Sequence, residues 1–247
     1  MTSKKTLLIF DFDQTIIDKY SEFDMVEKMT PEFYKERNGD LFEEDWIPFN
    51  NLFYTKIKEK GLKWNDVKNF FEQLKFSPKF KELFDYIRKN KEKFNLLLIT
   101  GNHTICIETT LKNLGIFDLF KDIICNNSEL DEKNIIRIWS LNKNYEKNCN
   151  ECKPFLCKAL AFEDYMKKND MKQYEKIVFI CDGSNDVCLT RKLLKENDIV
   201  CPRLNYTCYK NLAVEKKYDI KCKLFPWENG EDIIKILDKN LIFNLNY

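Results

Sequence analysis

Three short apolar runs, each stopped abruptly by polar or acidic residues, constrain the fold of this chain more than any other feature. They are Leu7–Phe10, Leu96–Ile99 and Ile177–Cys181, with weaker candidates at Ile123–Cys125 and Ile199–Cys201. Their shortness and their content of Leu, Ile, Val and Phe read as buried strands. Between them lie segments with helical spacing: Ile105–Leu114, closed by Gly115 as a C′ glycine, then Phe155–Lys168 and Val187–Lys195. Continuous apolar strands alternating with amphipathic helices are the pattern of a parallel sheet covered on both faces. The fold class is therefore α/β.

One stretch breaks the alternation. From Tyr20 to Arg88 there is no convincing strand, only helix-like segments carrying Phe23, Met25, Phe33, Trp46, Phe49, Phe53, Trp64 and Phe70. An insertion placed directly after the first strand rises from the sheet edge where the strands' C-terminal ends lie, which is where ligands bind in open α/β folds. The expected organisation is a core built from residues 1–19 and 89–247 with a helical cap over residues 20–88.

The 247 residues, 44% of them hydrophobic, can fill a sizeable core, and 41 Lys+Arg against 40 Asp+Glu leave a net charge of only +1. No sequence-wide field draws such a chain to nucleic acid or anionic lipid. The N-terminal apolar run Thr6–Phe10 is cut off by Asp11, too short for a signal peptide, and no uncharged stretch approaches the roughly 20 residues that span a bilayer. Ten cysteines fall below the density of a disulfide scaffold. The expectation is a cytoplasmic protein with free thiols, binding neither nucleic acid nor membrane. The sequence is silent on oligomeric state.

The chemistry gathers at the ends of the three strong strands. Asp11 and Asp13 follow the first, and residues two apart on an extended chain share a face. Asp182-Gly183-Ser184-Asn185-Asp186 follow the third. In a parallel sheet these ends lie side by side, so Asp11, Asp13, Asp182 and Asp186 converge on one spot whose charge a hard divalent cation would make tolerable. Oxygen ligands without nearby histidines suit Mg²⁺, which keeps several waters and favours phosphate substrates. The middle strand ends Thr100-Gly101-Asn102-His103 and opens a helix. There Thr100 reads equally well as an N-cap or as part of an anion seat.

The strings "LLIFDFDQTIID", "LLLITGNHT" and "VFICDGSNDVC" resemble the first, second and fourth motifs of the haloacid dehalogenase superfamily, in the right order. For the third-motif lysine, "CNECKPFLCKAL" offers Lys153 and Lys158. Within the superfamily the likeness is to the phosphoethanolamine/phosphocholine phosphatase and pyridoxal-phosphate phosphatase group, whose Cys-x2-Cys-x4-Cys-Lys stretch Cys149, Cys152, Cys157 and Lys158 reproduce, which favours Lys158. "CPRLNY" at Cys201–Tyr206 and "PWEN" at Pro226–Asn229 extend the similarity over nearly the whole chain.

The resemblance implies a Rossmann-like parallel-sheet core with a helical cap, and a Mg²⁺-dependent phosphomonoester hydrolase acting on a small phosphorylated metabolite. It implies Asp11 as nucleophile, Asp13 as general acid and base, and Thr100 and Lys158 as phosphate holders. Metal would sit on Asp11, the Asp13 backbone carbonyl and Asp182, with Asp186, Asn185 and Gly101 in support. Glu22, Gly101 and Asn102 would face the substrate. Two departures affect specificity: Glu22 stands where the group carries an acid shortly after the first motif, and Gly101 stands where it carries Asp. Rival readings are the same chemistry on phosphoserine or thiamine monophosphate, and a catalytically silent binding protein of the same fold.

Cys149, Cys152 and Cys157 are spaced closely enough to ligate zinc, but a fourth ligand is not evident, so the expectation is buried apolar thiols and no stoichiometric zinc. His103, the single histidine, reads either as a pocket-lining residue or as a surface loop residue. The cap aromatics read as core, with a few rings free to face the site and hold a cation.

Overall fold

The computed structural model describes residues 4–36, 46–144, 149, 152 and 156–241. Seven strands form one sheet among these residues: β1 (Lys5–Phe10), β2 (Phe94–His103), β3 (Phe120–Leu130), β4 (Ile136–Trp139), β5 (Tyr174–Cys181), β6 (Ile199–Pro202) and β7 (Lys223–Leu224). Their order is β4-β3-β2-β1-β5-β6-β7, parallel throughout except where β4 pairs antiparallel with β3. The α/β class and the parallel Rossmann-like sheet expected from the sequence are thus present.

Both faces of the sheet are covered, as the unbroken apolar strands require. Side chains alternate along β1. Leu8 and Phe10 join Leu98 and Ile180 in a cluster beneath α5 (Phe80–Lys89), α6 (Thr104–Asn113) and α9 (Gly230–Leu241), to which Phe84, Leu111 and Leu237 contribute. Leu7 and Ile9 face the other way, joining Leu97, Ile99 and Phe179 beneath Phe162 of α7 (Lys158–Lys168) and Leu189 of α8 (Val187–Leu193). Burying each such side chain contributes about 1.5–3 kcal/mol.

Between β1 and β2 come α1 (Ser21–Met29), α2 (Pro31–Glu36), α3 (Trp46–Glu59) and α4 (Trp64–Glu72) before α5. The outgoing and returning chains run side by side, since the Ser77 N–H donates to the Ile16 carbonyl at 2.9 Å. Met25, Phe49, Phe53 and Phe71 from these helices belong to the same apolar cluster as Leu8 and Phe10. Helix α5, within the Tyr20–Arg88 stretch, lies against the sheet: the Phe84 ring is 5.5 Å from Phe10, and the Tyr86 hydroxyl donates to Asp238 of α9 at 2.6 Å.

Three local differences from the sequence reading have physical reasons. β2 runs on through Thr100 to His103, because β3 keeps pairing with it there through Asn126. Strand β4 is short and holds Arg137, so it lacks an apolar run; its register against Asn127–Leu130 defines it. Helix α7 starts at Lys158 rather than Phe155, which lies outside the described residues. Gly115 takes φ 69° just after α6, as a C′ glycine should. No helix among the described residues is long and apolar enough to cross a membrane.

Candidate active site

Strand order determines what meets at the site. β1 lies between β2 and β5, with Phe10 in register with both Leu98 and Ile180, so the C-terminal ends of all three strands adjoin where the connections diverge. Asp11 stays in line because its N–H donates to the Ile180 carbonyl at 3.0 Å. The chain then turns over Phe12, whose carbonyl accepts from Ile16 N–H at 2.8 Å, and Gln14 adopts φ 55°. Arg203 holds this turn from the far side, donating to the Gln14 carbonyl at 2.7 Å and to Asp18 at 2.6 Å. Sequence reasoning gave Arg203 no role, although it sits in the "CPRLNY" string.

Asp182 follows β5 and leads into a tight loop. Asp186 ties that loop down by accepting at one oxygen from the Gly183 N–H at 2.8 Å and the Asp182 N–H at 3.2 Å. A Cβ at Gly183 would lie 2.7 Å from Asn185 Oδ1, so a side chain there would displace the Asn185 amide. Thr15 Oγ1 donates to Asp182 Oδ1 at 3.2 Å, linking the two acidic loops.

Lys158 opens α7, fully buried, and its Nζ lies 2.7 Å from Asp11 Oδ1 and 2.5 Å from Asp186 Oδ1. Burial alone would discharge it, but Asp11 and Asp186 outweigh burial and raise its pKa, so it is an ammonium. The rival Lys153 lies outside the described residues. Thr100 is buried within β2 and caps no helix; its Oγ1 accepts from the Asn102 N–H at 3.2 Å. The N-cap of α6 is His103 instead.

Carboxylate oxygens of Asp11, Asp182 and Asp186 lie within 4.8 Å of one another, all buried. Burial, then the charges of Asp11 and Asp186, push the Asp182 carboxyl well up. Burial likewise lifts Asp186, to about 6, against the opposing pull of Lys158. One ammonium does not balance this group. An all-oxygen donor set with surplus negative charge fits a hard divalent cation. Because both Asp186 oxygens already accept internal hydrogen bonds, Asp11 and Asp182 are the better-placed donors.

Asp11 and Asp182 open into a cavity of about 190 Å³ lined from the strand ends by Asp11, Asp13, Thr100, Gly101, Asn102, Asp182 and Asn185 and from the helices after β1 by Tyr20, Glu22, Phe23 and Trp46. Asp13 points across the join: it accepts from the Ser21 N–H at 2.8 Å and from Asn102 Nδ2 at 3.1 Å, and burial raises its pKa. The Asn102 amide also lies 2.8 Å from Ser21 Oγ and 3.0 Å from Glu22 Oε2. Glu22, only 2% exposed, is pushed up to about 8 by burial and then by the Asp13 charge. Gly101 borders open space, with nothing within 4 Å of a Cβ built on it. The rings of Tyr20, Phe23 and Trp46 form a wall, with centroids 5.7 Å and 5.3 Å apart along it.

Both readings of His103 give way. It is buried behind Glu22, with Nε2 2.9 Å from the Tyr54 hydroxyl and Nδ1 2.9 Å from Ser128 Oγ, and it does not line the cavity. Burial lowers its pKa to about 3, so it is neutral.

The family described as "Putative Phosphatase" matches residues 6–241, nearly the whole chain. The chain belongs to that phosphatase family. It is 30% identical to the pyridoxal phosphate phosphatase PHOSPHO2 of Homo sapiens, covering 94% of this chain and 97% of that protein. It is 27% identical to the phosphoethanolamine/phosphocholine phosphatase of Gallus gallus, over 96% of this chain and 89% of that one. Among solved structures, a phospho-aspartyl intermediate analogue of phosphoserine phosphatase superposes with a TM-score of 0.58 at 14% identity, covering 95% of this chain and 99% of the other. That likeness supports the haloacid dehalogenase fold. As a member of this phosphatase family, the chain is a phosphomonoester hydrolase.

One premise from the sequence is overturned. Cys149, Cys152 and Cys157 do have a fourth thiol beside them, Cys188 of α8, and the four sulfurs lie within 4.8 Å of one another. The sequence hid this partner because it arrives through the fold from a helix with no local cysteine spacing.

Proposed function

We propose that the chain hydrolyses a small phosphorylated metabolite through an aspartyl-phosphate on Asp11. The observation that carries this reading is the Asp11 carboxylate lining the cavity, with the Lys158 ammonium 2.7 Å away and Asp182 beside it. Asp11 attacks phosphorus in line, and Lys158 and Thr100 hold the phosphoryl oxygens. Asp13, its pKa raised by burial, delivers a proton to the departing oxygen and then takes one from the attacking water. Asp186 is a positioning residue that orients Lys158 and stiffens the Asp182 loop. Mg²⁺ would be held by Asp11, Asp182 and the Asp13 backbone carbonyl, and would supply positive charge against the repulsion between phosphate and carboxylate. We further propose that α1–α4 act as the cap.

The far end of the cavity favours a flat ring over a small ammonium. Glu22 is engaged by Ser21 and Asn102 and protonated in large part at neutral pH, Gly101 brings no acid, and three aromatic rings form the wall. Pyridoxal phosphate fits that chemistry better than phosphocholine or phosphoethanolamine, and the pyridoxal phosphate phosphatase among the relatives supports the choice. A panel of phosphomonoesters assayed with and without Mg²⁺ tests it. The expected ranking by kcat/KM puts pyridoxal phosphate first, with activity lost on chelation. Phosphocholine or phosphoserine at the head would overturn the substrate assignment, and no turnover of any ester would overturn the enzyme reading.

A further inference from the structure

We propose that Cys149, Cys152, Cys157 and Cys188 form a tetrahedral zinc site that fastens the start of α7, which carries Lys158, to the turn carrying Asp182 and Asp186. All four are buried, and their sulfurs lie within 4.8 Å of one another. Cys188 Sγ is 3.6 Å from Cys149 Sγ and 3.8 Å from Cys157 Sγ. Four thiolates bound to zinc at about 2.3 Å stand roughly 3.8 Å apart at the corners of a tetrahedron. The cluster therefore has the size that the ion demands.

Packing of small apolar thiols is the competing explanation, and the rest of the chain shows what that gives. Cys181 and Cys208 touch at 3.7 Å as a pair, and Cys106, Cys125, Cys201 and Cys222 are buried outside any metal-sized group among the described residues. Among the described residues, only the tetrad brings four thiols from two separate segments to one point. A set of four sulfurs selects zinc over the hard cation suited to Asp11 and Asp182, so the two sites do not compete.

Binding replaces four thiol protons by one Zn²⁺, releasing up to four protons and leaving two net negative charges. The surroundings answer that charge. Lys192 Nζ lies 4.0 Å from Cys149 Sγ, and Cys157 occupies the N-cap of the eleven-residue helix α7, where the helix dipole favours an anion. Cys157 directly precedes Lys158, Cys188 lies two residues beyond Asp186, and Cys152 Sγ is 4.0 Å from the Asn185 carbonyl. Zinc here would set the separation between the lysine and the acidic loop without touching the reacting atoms.

Elemental analysis of the full chain, purified without chelator or added metal, is expected to give one zinc per chain, released when a mercurial titrates the thiols. Cobalt(II) exchanged into the same protein should show thiolate-to-metal charge transfer and the intense visible bands of tetrahedral sulfur coordination. Cys188→Ser should lose the zinc, and Cys125→Ser should keep it. Zinc no higher than the buffer blank, iron at the same stoichiometry, or full zinc retention in Cys188→Ser would each overturn the proposal. If Cys188→Ser fails to fold, the cobalt spectrum of the unaltered chain decides, and absence of the thiolate band overturns the assignment.

Discussion

The two ends of the cavity are built by different rules. At the proposed phosphate end, Asp11, Asp182, Asp186 and Lys158 are brought together by sheet order and held by direct charge, with an ammonium 2.5 Å and 2.7 Å from two carboxylates. At the head-group end, Glu22, Asn102, His103 and Tyr54 form a buried hydrogen-bonded chain in which burial raises the Glu22 pKa to about 8 and lowers that of His103 to about 3. Two potential charges are suppressed there, whereas the other end holds an ammonium against three crowded carboxyl groups. The first end suits bond cleavage, which needs preorganised charge. The second suits recognition by shape, because neutral groups and rings do not discriminate by long-range attraction.

Substitutions sharpen this contrast, and the phosphate end should respond most. Lys158→Met leaves two buried carboxylates without their cation. It should lower stability by about 3–5 kcal/mol in a urea titration and abolish turnover. Unchanged stability would mean that the carboxylates are protonated and that the ion pairs do not hold this end together. Asp13→Asn comes next: kcat should fall by roughly 10²–10⁴ for an alkyl phosphate with a poor leaving group, and far less for an activated aryl phosphate. Equal losses on both esters would remove proton donation from Asp13.

At the head-group end the effects should be smaller and should appear in pH dependence and ratios. Glu22 has its pKa raised from the ordinary 4.5 to about 8, so folding favours its protonated form. Its stabilising contribution is complete below pH 4.5 and is lost as pH rises toward 8. Glu22→Gln should therefore flatten the fall in stability across that window by more than about 1.4 kcal/mol, read from denaturation at a series of pH values. Parallel pH curves for the two proteins would show that Glu22 ionises freely. Gly101→Asp introduces a carboxylate into open space beside the cavity. The ratio of kcat/KM for phosphocholine to that for pyridoxal phosphate should rise about tenfold, since 1.4 kcal/mol of a charge–charge attraction is enough. A flat ratio would place position 101 away from the head group.

The same contrast governs what the sequence discloses. Asp11, Asp13 and Asp182 are legible because each ends an apolar run, and parallel strands bring their ends together whatever the helices do. Lys158 is legible through the resemblance, since nothing local distinguishes it from Lys153. The head-group end is opaque. That Glu22 turns inward to Asn102 and Ser21, or that His103 is buried against Tyr54 of α3, depends on how the helices after β1 pack, and helical periodicity does not specify partners. Cys188 escapes for a related reason: its three partners lie far from it along the chain, and the contact exists only once α8 packs beside α7.

The central claim is that the Asp11 carboxylate becomes covalently phosphorylated and is then freed by water. A single turnover quenched in acid at successive times, followed by mass spectrometry of the peptide containing Asp11, tests it most directly. The intermediate should be seen on that peptide as added phosphate when the reaction is quenched before completion, and Asp11→Asn should show none. Quenched samples from an active enzyme that carry no phosphate on this peptide at any time, or phosphate on a different residue, would contradict the account.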